Sequence, residues 1–200
     1  MLEIYPPSDD SYFLSNILKK EIPKLLNKNK NPGVLEVGCG SGVQLSTLKG
    51  LEVKSLLGLD INQAAVNHCR GLGFNCILSD LFSNIKKKFD LIIFNPPYLP
   101  EDKDEPKSSR LATTGGKEGS RIINKFLKQA KKHLNENGKI ILLTSNLAKK
   151  IYWKDYKKKL LGKKKLFFEE LYVWELNAPT DSSLGVYLGR FLISYKLFNT

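Results

Sequence analysis

The chain has 200 residues, 42% hydrophobic and 10% aromatic. That is enough for one domain with its own core, and the composition carries no signature of disorder. No apolar run approaches the roughly 18 residues that cross a membrane. No basic-then-apolar leader opens the sequence, and Cys39, Cys69 and Cys76 form no CxxC pair. These features argue against a membrane protein, a disulfide scaffold or a zinc site, and for a cytoplasmic domain with buried reduced thiols. The net charge of +12 suits an anionic partner such as nucleic acid, yet the lysines are dispersed as on a solvated surface rather than gathered with arginine and aromatics.

In chain order, a capped helix is predicted after Pro7-Ser8-Asp9-Asp10, running through Phe13, Ile17 and Leu18. Asn31-Pro32-Gly33 turns into a strand over residues 34–37, which ends in Gly38-Cys39-Gly40-Ser41-Gly42. A short helix at 43–49, a strand at 55–60, a helix at 62–69 and a short strand at 74–78 follow. The fourth strand, Phe89 to Phe94, runs into Asn95-Pro96-Pro97-Tyr98. Beyond a polar loop at 99–119, residues 120–134 read as an amphipathic helix. Asn137-Gly138 then turns into a strand at 139–144, and 147–161 reads as a helix whose exposed face and end carry the lysine run 154–165. Two β-rich segments, near 166–174 and 188–197, close the chain. Alternating strands and helices predict an α/β domain over 1–200. It has a mostly parallel sheet covered by helices on both faces and an antiparallel C-terminal hairpin at one edge.

Glu36-x-Gly38-x-Gly40-x-Gly42 lies between the first strand and its helix. Glycines there let the backbone turn tightly and approach a ligand, and Asp60 ends the second strand about 20 residues on, where an acid binds ribose hydroxyls. The spacing departs from the dinucleotide fingerprint, because Val43 stands where the third glycine belongs. Glu36 adds negative charge beside the loop. That suits the sulfonium and ammonium of S-adenosylmethionine better than a pyrophosphate. Asp80 with Leu81 and Phe82, after the third strand, fits an adenine amino group and ring.

At the fourth strand's end, two prolines remove two backbone donors and fix φ, and Asn95 is pushed towards an extended conformation. The resulting corner presents lone pairs and an aromatic ring, which suits a planar amino group. Asn95 and Pro96 are the expected acceptors, with Tyr98 stacked on the plane.

The whole pattern resembles the class I S-adenosylmethionine-dependent methyltransferases, with their Rossmann-like seven-stranded fold. Within them, Asn95-Pro96-Pro97-Tyr98 resembles the motif of enzymes that methylate adenine N6, guanine N2 or glutamine N5. Tyr5-Pro6-Pro7-Ser8-Asp9-Asp10-Ser11-Tyr12-Phe13-Leu14 and Gly115-Gly116-Lys117-Glu118-Gly119 are similar to segments of the HemK-type glutamine methyltransferases, in their short archaeal and eukaryotic branch. Pro6 and Thr114 depart from that branch's usual acid and alanine. The bacterial members' extra N-terminal domain has no room before Gly38.

The resemblance implies that Ser11, Glu36, Gly38, Gly40, Asp60, Ile61, Asp80, Leu81 and Asn95 line the cofactor. It gives the catalytic corner to Asn95, Pro96, Pro97 and Tyr98, has residues 1–30 contribute a helix to the site, and calls for no metal. The implied substrate is the GGQ glutamine of a class I peptide chain release factor. The implied partner is a small zinc-binding activator paired at the third strand, which lacks an edge-protecting lysine or proline. The competing readings are methylation of an exocyclic amino group in DNA or RNA, methylation of lysine, and a non-catalytic nucleoside-binding or NAD-linked protein. The loop at 99–119 is expected to close over the substrate.

Overall fold

The computed structural model describes residue 4 and residues 6–179. Helix α1 (Asp9–Lys28) starts at Ser8, with Asp9 and Asp10 in its first turn, where acids favour the helix dipole. It buries Leu14, Ile17, Leu18 and Ile22, a stripe at helical spacing. Then come β1 (Gly33–Val37), α2 (Val43–Gly50), β2 (Ser55–Asp60), α3 (Gln63–Gly71), β3 (Cys76–Leu78) and β4 (Phe89–Phe94). Next are α4 (Lys107–Thr113), α5 (Arg121–Ala130), β5 (Leu134–Ser145), β6 (Lys157–Lys165) and β7 (Glu170–Asn177).

These strands form one seven-stranded sheet in the order β3-β2-β1-β4-β5-β7-β6. The first five are parallel, and β7 runs antiparallel to both β5 and β6. The core is centred on β1, β4 and β5, where Leu35, Leu91, Ile92, Ile93, Ile140, Ile141 and Leu142 are fully buried. Near-continuous apolar runs are what strands covered on both faces require. Phe126 of α5 packs on Phe94 and Phe82 with ring centroids 4.7 and 5.6 Å apart.

The second half departs from the sequence reading in four places. No helix forms over 147–161; the lysine run is β6, an edge strand paired to β7. Lysine and leucine favour helix locally, but β7 (ELYVWELN) needs a second partner, and Gly162 lets α1 in: a Cβ there would sit 2.7 Å from Ile17 Cδ1. Tertiary pairing overrides propensity. Asn137-Gly138 does not precede β5 but lies within it, with Asn137 at φ 62°, as a bulge that shifts register between the Phe89 and Leu91 pairings. The loop at 99–119 contains α4. The antiparallel hairpin is β6–β7, and the strand expected near 188–197 lies outside the described residues. Smaller shifts also occur. α5 ends at Ala130 before a 3-10 turn at Lys131–His133, and β3 has only three residues.

Candidate active site

The strand order reverses between β1 and β4, so the loops after these two strands flank a crevice at the carboxyl edge, where open α/β sheets bind ligands. After β1, Gly38, Gly40 and Gly42 adopt φ of 68°, 46° and 76°, a left-handed path that a side chain disfavours. At the end of β2, Asp60 fastens this loop. Its Oδ2 accepts from Gly40 N at 2.8 Å and its Oδ1 from Asn62 N at 2.8 Å. Burial raises the Asp60 carboxyl above its ordinary range, against the lowering effect of those backbone donors.

Two adjoining chambers open here. One, of about 370 Å³, is lined by Ser11, Glu36, Gly38, Gly40, Asn95 and Tyr98 among others. The second, of about 390 Å³, includes Asp80, Leu81, Phe94, Arg121 and Ile122. Asp60, Ile61, Pro97 and Leu111 border both. Ile61 and Leu111 are apolar side chains left 52% and 41% exposed, a surface suited to a flat apolar face. Leu81 sits at φ 50°, an uncommon conformation for a leucine that turns the backbone beside the second chamber. Asp80 lies at the rim with its Oδ2 2.5 Å from Lys125 Nζ.

Among the described residues, two buried side-chain oxygens lack a hydrogen-bond partner: Glu36 Oε2 and Asn95 Oδ1. Both residues line the first chamber. Glu36 is 3% exposed, and burial, reinforced by Cys76 and Asp60, holds its carboxyl well above the carboxylate range. A buried acid without a counterion fits a cationic ligand. The orphaned carboxyl, the left-handed glycine loop and the paired chambers suit S-adenosylmethionine.

The Asn95 amide is oriented from across the chain. Asn95 Nδ2 donates to Asp10 Oδ2 at 3.0 Å, and the Tyr98 hydroxyl reaches the same oxygen at 3.4 Å. Asp10 Oδ1 accepts from Ser8 Oγ at 2.7 Å, Ser11 N at 2.5 Å and Ser11 Oγ at 3.1 Å. Gln44, buried on α2, donates to the Ser11 carbonyl at 2.8 Å and accepts from Ser15 Oγ at 2.9 Å, locking α1 to α2. The corner is backed by Gly115 and Gly119. A Cβ at Gly115 would stand 2.1 Å from Gly119 O and 2.7 Å from Pro97 O, and one at Gly119 2.3 Å from Tyr98 O.

The expected site residues thus converge on one crevice. The sequence reading missed Asp10, Gln44, Leu111 and Glu169, which also line it. Only Asp10 carried a local signal, as a first-turn acid, and that signal speaks of helix capping rather than of Asn95.

A sheet of this order, with a glycine-turned loop and an acid after its first two strands and a proline corner after its fourth, defines a class I S-adenosylmethionine-dependent methyltransferase. The chain belongs to the methyltransferase small domain family, whose model matches residues 13–163. It is 34% identical over 191 residues to a putative protein N5-glutamine methyltransferase of Methanocaldococcus jannaschii, covering 87% of this chain and 93% of that one. It is 30% identical over 161 residues to the eRF1 methyltransferase catalytic subunit mtq2 of Schizosaccharomyces pombe, covering 68% and 70%. The solved E. cuniculi Mtq2–Trm112 complex, described as responsible for methylation of the eRF1 translation termination factor, matches at TM-score 0.69 and 25% identity. That match covers 90% of this chain and 100% of the solved one.

Proposed function

We propose that this enzyme transfers a methyl group to the side-chain amide nitrogen of a glutamine in a class I release factor, and that Asn95 is the residue that makes the nitrogen reactive. The observation that carries this reading is the unpartnered Asn95 Oδ1, buried in the cofactor chamber while its amide nitrogen is committed to Asp10. Only an acceptor is then presented to the substrate. An amide nitrogen is a poor nucleophile because its lone pair is delocalised into the carbonyl. Acceptors at Asn95 Oδ1 and the Pro96 carbonyl would hold its two hydrogens, favour the pyramidal geometry and stabilise positive charge growing on nitrogen. The bound cofactor supplies an electrophilic methyl on a sulfonium. No base is needed before attack, and the proton leaves the nitrogen afterwards.

Ser11, Glu36, Gly38, Gly40, Asp60, Ile61, Asp80 and Leu81 would hold the cofactor. Tyr98 closes the corner through its hydroxyl bond to Asp10. Leu111 of α4 borders both chambers, which supports closure of the 99–119 segment over the substrate. The M. jannaschii and S. pombe relatives are named for glutamine and eRF1 methylation, which supports the choice of substrate.

A small zinc-binding activator is proposed at the β3 edge. That edge is three residues long and leaves Leu78 41% exposed. The opposite edge, β6, is blunted by lysines and a bulge, as edges that avoid pairing are. The solved relative is itself a complex with Trm112, which supports a partner subunit but carries no position for it.

The test is labelled-methyl transfer from S-adenosylmethionine to a purified class I release factor, its Gln→Ala variant and total nucleic acid. Label confined to the intact release factor is expected. Label in nucleic acid, or label that survives the Gln→Ala change, would overturn the substrate assignment.

A further inference from the structure

A second, smaller apolar cluster gathers Cys39, Leu45, Val66, Cys69 and Cys76 beside the cofactor loop. Its three sulfurs lie within 4.8 Å of one another, although they come from the loop after β1, from α3 and from β3. The three residues are 2%, 0% and 1% exposed. Glycines make the room. A Cβ at Gly58 of β2 would stand 2.7 Å from Cys76 Sγ, and one at Gly42 3.1 Å from Cys69 Sγ. Cys69 Sγ also donates to the Gly40 carbonyl at 3.5 Å.

We propose that Cys39, Cys69 and Cys76 form a three-sulfur site for one soft monovalent metal ion of the Cu(I) kind, adjoining the methyl-transfer pocket. Thiolates select soft ions, and three of them with no fourth ligand in the group among the described residues suit three-coordination. Metal–sulfur bonds of about 2.3 Å would set the sulfurs roughly 4.0 Å apart in a trigonal plane. The group contains no histidine: His68 is exposed, and His133 is bonded to the Lys87 carbonyl. Leu45, Val66, Leu56 and Phe74 wall the site with apolar surface, which disfavours the water ligands that harder ions retain.

Loading is an exchange of protons for metal. Each sulfur that takes the ion gives its proton to the solvent, and no oxidation state changes. Cys39 also lines the first chamber, which gives the ion a way in.

The reduced protein would be titrated anaerobically with Cu(I) against a chromophoric Cu(I) chelator, and the loaded monomer measured by copper X-ray absorption. One Cu(I) withheld per chain and a copper centre with three sulfur neighbours are expected. The chain has three cysteines, so three thiolate ligands within a monomer must be these three. Cys76→Ser should abolish retention. Gly58→Ala should weaken it by closing the space while keeping every thiol. No stoichiometric binding, fewer than three sulfur neighbours, or retention unchanged in Cys76→Ser would each overturn the proposal. The two wild-type readouts hold whether or not the variants fold.

Discussion

Replacing Asp10 with asparagine converts one acceptor oxygen to an amino group and leaves the side-chain volume unchanged. Both Asp10 oxygens are in use, Oδ1 by Ser8 and Ser11 and Oδ2 by Asn95 and Tyr98. An amide accepts on one side only. Whichever way the new side chain turns, either the start of α1 or Asn95 faces a donor. If Asn95 loses its acceptor, its amide is free to flip and aim N–H at the substrate's own N–H bonds. A hydrogen bond to a charged group contributes about 1.5–3 kcal/mol. At about 1.4 kcal/mol per tenfold, this corresponds to a fall in kcat of roughly 10- to 150-fold for Asp10→Asn. The assay is single-turnover methyl transfer at saturating cofactor and substrate, with cofactor affinity measured separately. A kcat drop with a much smaller change in cofactor affinity separates positioning from general damage. A kcat within about twofold of wild type would refute the claim that Asp10 sets the Asn95 amide.

Asn95→Ala should cut turnover by about 10²- to 10³-fold, as losing a positioned charge-stabilising group does, while the cofactor still binds; equilibrium binding and initial rates check both halves. Glu36 should make cofactor binding pH-dependent. Its raised carboxyl is protonated in the free protein below that elevated pKa, and a bound cation restores the carboxylate. Affinity should therefore rise with pH up to that value, with a proton released on binding, seen by calorimetry in buffers of different ionisation enthalpy and lost in Glu36→Gln. The same group, raised on folding, contributes stability that is full below its unfolded pKa and lost as pH rises through the folded one. Glu36→Gln without cofactor should thus melt higher at neutral pH. Gly115→Ala places a Cβ 2.1 Å from Gly119 O and 2.7 Å from Pro97 O, so the proline corner must shift. A destabilisation of about 1–3 kcal/mol in thermal melts, with reduced turnover, is expected.

Much of the first half was legible because its signals are local. Apolar runs marked β1, β2 and β4 within a residue, helped by glycine and proline at the bounds of β1 and after β4, and the two motif-bearing loops follow directly from strand ends. The second half misled for the same reason. Residues 157–165 have lysine and leucine in a helix-forming proportion, and nothing within the segment announces that β7 will pair with it. The five-residue Gly115–Gly119 motif was readable as a pattern, but its cause is the backbone of Pro97 and Tyr98 packed against it.

By itself the chain determined the order of its elements from α1 to β4, the glycine-turned loop, the acids at successive strand ends and the proline corner, because turn chemistry and hydrophobic period act over a few residues. Only the folded sheet decided which distant groups meet. Asp10 reaches Asn95 across 85 positions, and three cysteines without a shared motif converge around the space left by Gly58. Such meetings depend on strand order and on helices packed over the sheet, and no window of sequence contains them.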